Sequence, residues 1–292
     1  MNQHYLPQLY LNNFTATDDP KRQGPYLWVF RNARWGQQTP KGTASAPNFY
    51  AFNDANGNVD HRVDDFFQSL ETNFAPVIAR LALSPPDVLS DDDRYWLSLL
   101  IVSMRLRVPG YIDSFAKGIE QCYKQVHWLQ YQQFKENPDS FDRAKEWLRT
   151  DKKLDLPEMT VEDLHPDKYT VVVPNAYVVT TSLNQLTKLA ELISQMNWSL
   201  YSIDSPGFIT SDYPVVSITP GATNRLFGGG WGDPGVEVTF PLTSKLGLLC
   251  CWKEGPRFAL RRPTIEQLRT MNLRTIDSAT DSMIISPAKV FP

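Results

Sequence analysis

The hydrophobic spacing changes period along this chain, and that change limits the fold more than any single motif. Phe67, Leu70, Phe74, Val77, Ile78 and Leu81 recur three and four residues apart, the spacing of one helix face. From Trp198, Trp-Ser-Leu-Tyr-Ser-Ile alternates instead, the pattern of a half-buried strand. Helical spacing early and strand spacing late give an α+β fold class. A helical N-terminal and middle part packs with an antiparallel or mixed β-sheet built mainly from the C-terminal third.

Local signals sharpen that outline. Tyr5, Leu9 and Phe14, with Pro7 in a first turn, predict a short N-terminal helix. Residues 26–31 read as a strand, the stretch to Pro47 as loop, 48–52 as a second short strand and 53–58 as a turn. Pro76 predicts a kink or a late start in the helix of 64–83. Ser90-Asp91-Asp92-Asp93 is a cap with first-turn acids. It leads into Trp96–Val102, apolar almost all round, so this helix is buried and stops before Pro109. Residues 111–150 give two aromatic-rich helices broken near Asn137-Pro138, and 151–168 read as a connector. Tyr169 to Thr181 is β-branched but broken by Pro174, and a helix follows from Leu183 to Met196. Further strand candidates are 208–210, 215–218, 236–240 and 246–252, with 228–235 as a mobile glycine-rich loop. Thr264 and Gln267 form a capping box before a helix to about Ser278. Met283–Ile285 reads as a closing strand. The expected organisation is one domain over 1–292, with a helical subdomain at 64–150 and a β-rich part at 169–292.

Composition narrows the class without naming a function. At 42% hydrophobic and 21% charged, the chain can bury a sizeable core. A net charge of −3 argues against a dedicated nucleic-acid coat, though a local basic cleft can hide inside that total. Three cysteines, two of them adjacent at Cys250 and Cys251, suit reduced thiols in the cytoplasm. The start carries no basic stretch followed by an apolar run. No apolar run approaches the roughly 18 residues of a membrane span, so no membrane partner is expected. The dinucleotide, phosphate-loop, nucleophile-elbow and zinc-ligand spacings are all absent. Any cofactor therefore stays unknown: a divalent metal is compatible with the chain, but no ligand motif points to one.

Four features carry chemistry. His4 lies in a polar and aromatic start and titrates near neutrality, as an acid or base must; its plain alternative is packing or capping. Glu71 sits on the 64–83 helix among apolar neighbours, or is an ordinary solvated residue. Arg107 ends the buried helix, where a cation also suits the helix dipole. In Phe208-Ile209-Thr210-Ser211-Asp212-Tyr213-Pro214-Val215, a polar triplet splits two strand pieces. Asp212 there is an acid at a strand end, or the pivot of a turn.

These positions fall in a wider pattern. His4-Tyr5-x-Pro7-x-x-Tyr10-Leu11-x-x-Phe14 resembles the start of the bacterial family called domain of unknown function 4238. Glu71-x-x-x-Ala75-Pro76 is similar to its helix, Ser103–Pro109 to its Leu-Gln-x-x-Arg-Thr-Pro segment, and Phe208–Val215 to its Phe-Ile-Thr-Ser-Asp-Asn-Pro-Val signature. Phe240-Pro241-Leu242 resembles its Phe-Pro-Leu-Ser-Pro. The chain departs from the pattern at Met104, Val108 and Tyr213. The resemblance covers nearly the whole chain and implies which residues form a set: His4, Glu71, Arg107, Asp212 and Asn272. Tyr10, Thr210 and Ser211 join it as substrate-binding candidates.

A histidine, two carboxylates, an arginine and an asparagine suit hydrolysis. A carboxylate activates water or holds a metal, His4 moves a proton, and Arg107 stabilises phosphate charge. The expectation is a nuclease-like or nucleotide-directed hydrolase, a toxin or defence effector, with RNA or a nucleotide as partner. A glycosidase or nucleosidase is the second enzyme reading. The third is a non-catalytic module, in which the polar set is a buried network and the aromatic helices of 111–150 bind a protein partner.

Overall fold

The computed structural model describes residues 2–16, 24–53, 57–221, 230–281 and 283–289. Residues 54–56 of the expected turn and 228–229 of the expected glycine loop lie outside them. The chain forms two compact units: Met1–Ile112 with Val179–Pro292, and Asp113–Val178.

The larger unit opens with strand β1 (Asn2–His4) and helix α1 (Gln8–Leu11). Strands β2 (Leu27–Arg31), β3 (Arg34–Gln38), β4 (Ser45–Pro47), β5 (Phe52–Asn53) and β6 (Val59–Asp60) follow, then helices α2 (Arg62–Leu83) and α3 (Asp91–Leu106). Helix α4 (Pro109–Glu136) leads into the smaller unit, which also holds α5 (Pro138–Thr150). Helices α6 (Asn175–Leu183) and α7 (Leu186–Gln195) then lead to β7 (Asn197–Ser202), β8 (Thr210–Ser211), β9 (Val216–Ile218), β10 (Glu237–Thr243), β11 (Leu246–Cys251) and β12 (Phe258–Arg261). Helix α8 (Ile265–Ser278) and strand β13 (Ile284–Ser286) complete the order. The fold is α+β, and no helix among the described residues is long and apolar enough to cross a membrane.

Two sheets carry the larger unit. One runs β12-β7-β11-β10-β9, antiparallel except for the parallel β12/β7 pair. Its pleat separates two faces. Trp198, Leu200, Val238, Phe240, Leu248 and Cys250 share one face, each 1% exposed. Helices α3 and α7 meet that face: Trp198 Nε1 donates to the Ile193 carbonyl at 2.9 Å, and the Arg94 guanidinium lies 4.3 Å over the Trp198 ring. Helix α8 covers the other face, with Met271 and Leu268 packed on Tyr201, Phe208 and Leu249. Gly247 makes that approach feasible, because a Cβ there would stand 2.5 Å from the Phe208 ring.

The second sheet, β3-β2-β13-β8, departs from expectation. Residues 34–38 and 45–47 are strands rather than loop. Asn32 and Ala33 both take positive φ, 52° and 57°, so they form the tight turn that hairpins prefer. Alanine is uncommon in that conformation, which hid the turn. The strand expected at 48–52 is confined to Phe52–Asn53, since Asn48 is left-handed at φ 49° and breaks the extended run. The N-terminal helix shrinks to Gln8–Leu11; residues 2–4 extend instead to pair with β4.

The helix signals translate directly. Ser90 Oγ accepts from Asp93 N at 3.1 Å, starting α3. Thr264 and Gln267 exchange their bonds at 3.1 and 2.9 Å, starting α8. Helix α2 neither starts late nor stops at Pro76. Proline has no N–H to offer the carbonyl four residues back, at Thr72.

In the smaller unit the aromatic side chains pack on one another. Phe134 meets Phe141 at 5.4 Å, Tyr131 stands edge-on to His165 at 5.2 Å, and the Tyr169 hydroxyl lies 2.7 Å from His127 Nδ1.

Candidate functional site

His4, Glu71 and Arg107 meet. Arg107 caps the C-terminus of α3 and is 2% exposed. Its Nη1 donates to Glu71 Oε1 at 2.8 Å, and its Nη2 donates to the His4 carbonyl. Its Cζ lies 4.5 Å over the Phe67 ring, and its own carbonyl accepts from the Tyr50 hydroxyl at 2.7 Å. Burial opposes the guanidinium charge, but Tyr50 and the Glu71 carboxylate favour it more, and its pKa is held above the ordinary value. Three elements are fixed to one another here: β1 through its backbone, α2 through Glu71, and α3 through Arg107.

The three residues line a cavity of about 620 Å³. Asp64, Gln68, Glu71, Thr72 and Ala75 form its α2 wall, and Lys41 and Gln8 also line it. Asp64 is seven residues from Glu71, two helical turns and about 10 Å along the axis. It accepts from Gln68 Nε2 at 3.1 Å. Sequence reading did not single out Asp64, Lys41 or Gln8. The seven-residue spacing could have flagged Asp64; nothing in the sequence flags Lys41.

His4 is the least satisfied member. Burial pulls its imidazole below the ordinary value of 6.5. Arg107 acts in the same direction, against the Thr43 backbone and the Glu71 carboxylate. Nδ1 and Arg107 Nε are buried, and neither has a well-aligned hydrogen bond among the described residues. Nε2 lies 3.2 Å from Gln8 Nε2. With that amide donating, Nε2 carries a lone pair able to receive a proton.

The remaining expected residues stand elsewhere, and each is consumed by the fold. Asp212 is 1% exposed. Its Oδ1 accepts from Thr280 N at 3.1 Å, and its Oδ2 from Thr280 Oγ1 at 3.0 Å and Asp281 N at 2.7 Å. Burial pushes its carboxyl up, against those three donors. It thus clasps the loop after α8, where Gly110 leaves room: a Cβ at 110 would fall 2.2 Å from Thr280. Asn272, 2% exposed, accepts from Ile209 N at 3.3 Å and donates to the Gly207 carbonyl at 2.8 Å. The Tyr10 hydroxyl lies 2.7 Å from Thr210 Oγ1 and donates to the Pro241 carbonyl at 2.7 Å. Ser211 Oγ accepts from Tyr213 N at 3.1 Å. Tyr10, Thr210 and Ser211 are fully buried, which leaves a substrate no access to them in this conformation.

Among the described residues no group of three or more His, Cys, Asp or Glu side chains is arranged to hold a metal ion. A family model described as "Protein of unknown function (DUF4238)" matches residues 2–289. No curated protein and no solved structure matches the chain.

Proposed function

The chain belongs to the DUF4238 family, whose function is unknown, and we propose that its His4 pocket hydrolyses a phosphodiester or nucleotide, with RNA the first substrate to test. The observation behind this reading is the meeting of an underprotonated histidine, a fixed arginine and two carboxylates on one open cavity. Burial keeps His4 neutral near pH 7, the state of a general base. Water would attack phosphorus, its proton passing to His4 Nε2 as the new P–O bond forms. The departing oxygen would take a proton from solvent water as the old bond breaks, and His4 would return its own proton to solvent. Arg107 and Lys41 supply positive charge for the phosphoryl oxygens. Glu71 orients Arg107, and Asp64 is the carboxylate left to position water. Asp212 and Asn272 have no part in this scheme.

The test is incubation of the purified protein with RNA, DNA and nucleotides, with and without divalent metal. Cleavage is expected, and His4→Gln should slow it by about 100-fold or more while the fold persists. Substrates left intact under all conditions would remove the hydrolytic reading.

A second reading is binding without chemistry, and one observation favours it. In the 113–178 unit Tyr123, Val126, Trp128, Leu129 and Trp147 are exposed, more large apolar surface than isolated side chains explain. A protein partner seated there would be lost on Trp128→Ala and Leu129→Ala together, with turnover at His4 unaffected.

A further inference from the structure

A second cavity, of about 320 Å³, lies between α8 and the five-stranded sheet. We propose that it binds a small zwitterion of the α-amino acid class.

The sheet face beneath it breaks the rule its opposite face obeys. Glu237 opens β10 and Thr239 lies two residues on, both buried, where apolar side chains would be cheapest to bury. Glu237 is 7% exposed, and each of its oxygens already has a cation: Lys253 on Oε1, and Arg274 on Oε2 at 2.6 Å. The Thr239 hydroxyl is buried with no partner among the described residues, and buried hydroxyls are rarely left so. Tyr201 accepts from Gln267 Nε2 at 3.4 Å, which leaves its own proton to donate.

The charges lining the cavity balance at two and two: Glu237 and Glu266 against Lys253 and Arg274. A ligand with a single charge would upset that balance, whereas one carrying both signs keeps it. The Lys253 side chain is 66% exposed and the Arg274 side chain 16%. Lys253 can therefore swing from Glu237 to a ligand carboxylate while Arg274 stays in place. The ligand ammonium takes the vacated side of Glu237, with Glu266 beside it. Leu249 and Met271 offer an apolar floor for a side chain. The volume is at the small end of ligand pockets, about 300–1,000 Å³, and suits a single amino acid rather than a peptide.

The test is calorimetric titration of the full chain with the free amino acids. Each is compared with the carboxylic acid lacking its amine and the amine lacking its carboxylate. At least one amino acid is expected to bind, with both single-charge analogues weaker by about 10-fold or more. Glu266→Gln, an exposed first-turn change in α8, should weaken binding by a similar factor and leave the melting temperature unchanged. Thr239→Val should weaken binding while raising the melting temperature of the ligand-free protein, because it removes the unpartnered hydroxyl. No binding by any amino acid up to about 10 mM, or equal binding by the single-charge analogues, or Glu266→Gln binding as the parent does, would each overturn the proposal.

Discussion

The His4 pocket and the Phe208–Tyr213 segment hold the same kinds of side chain and treat them in opposite ways. At the segment, both Asp212 oxygens and both amide ends of Asn272 are used inside the protein. At the pocket, His4 Nδ1 and Arg107 Nε have no hydrogen-bond partner among the described residues, and Asp64 and Glu71 line an open cavity. A polar side chain in an apolar context therefore has two explanations, closure of the fold or contact with a ligand. What separates them is whether every polar atom already has a partner.

The contrast can be broken by mutation. Asp212→Ala is expected to act most strongly, because it strips three hydrogen bonds and leaves the Thr280 and Asp281 amides unpaired. A loss on the order of 3 kcal/mol should appear in denaturant unfolding. Asn272→Leu should cost about 2 kcal/mol by the same measurement, through the orphaned Ile209 amide and Gly207 carbonyl. Tyr10→Phe should cost about 1 kcal/mol, since one hydroxyl serves two buried partners. If any of the three abolished turnover while leaving stability intact, the segment would belong to the site after all.

The smallest effect belongs to the pocket, and its sign is the informative part. His4 has a lower pKa folded than unfolded. Above the unfolded value of 6.5 both states are neutral and the group contributes no pH dependence. As pH falls below it, the unfolded chain takes up the proton first, so stability declines until the folded pKa is passed. His4→Gln should remove that decline and change stability at pH 8 by less than about 0.5 kcal/mol. A decline that survived the substitution would belong to another group.

Much of the fold was legible because it rests on periodicity. In the five-stranded sheet β7 came from alternation and β9, β10 and β11 from short apolar, β-branched runs, while α3 and α8 came from their caps. Among the missed strands, β3 and β12 are short and no residue of either is fully buried; their pairing partners, rather than their own side chains, make them strands. The residues 169–181 hid a helix, because β-branched side chains carry only a weak preference that tertiary packing overrides. The pocket was legible only in part. His4, Glu71 and Arg107 could be named from sequence, but nothing in the chain order distinguished them from Asp212 and Asn272. Lys41 reaches the pocket from a three-residue helical turn whose position depends on long-range packing.

The place of β13 has a consequence for how the molecule is made. The strand lies between β2 and β8, pairing Ile284 with Phe30 on one side and with Ser211 on the other. During translation both neighbours leave the ribosome long before it does. Until Ile284 emerges, two strand edges wait unpaired, one at residues 27–31 and one at 210–211, and both can recruit a foreign strand. The protein is thus most prone to aggregate while β13 is missing from its place, and a chain cut short at 283 would keep both edges open permanently.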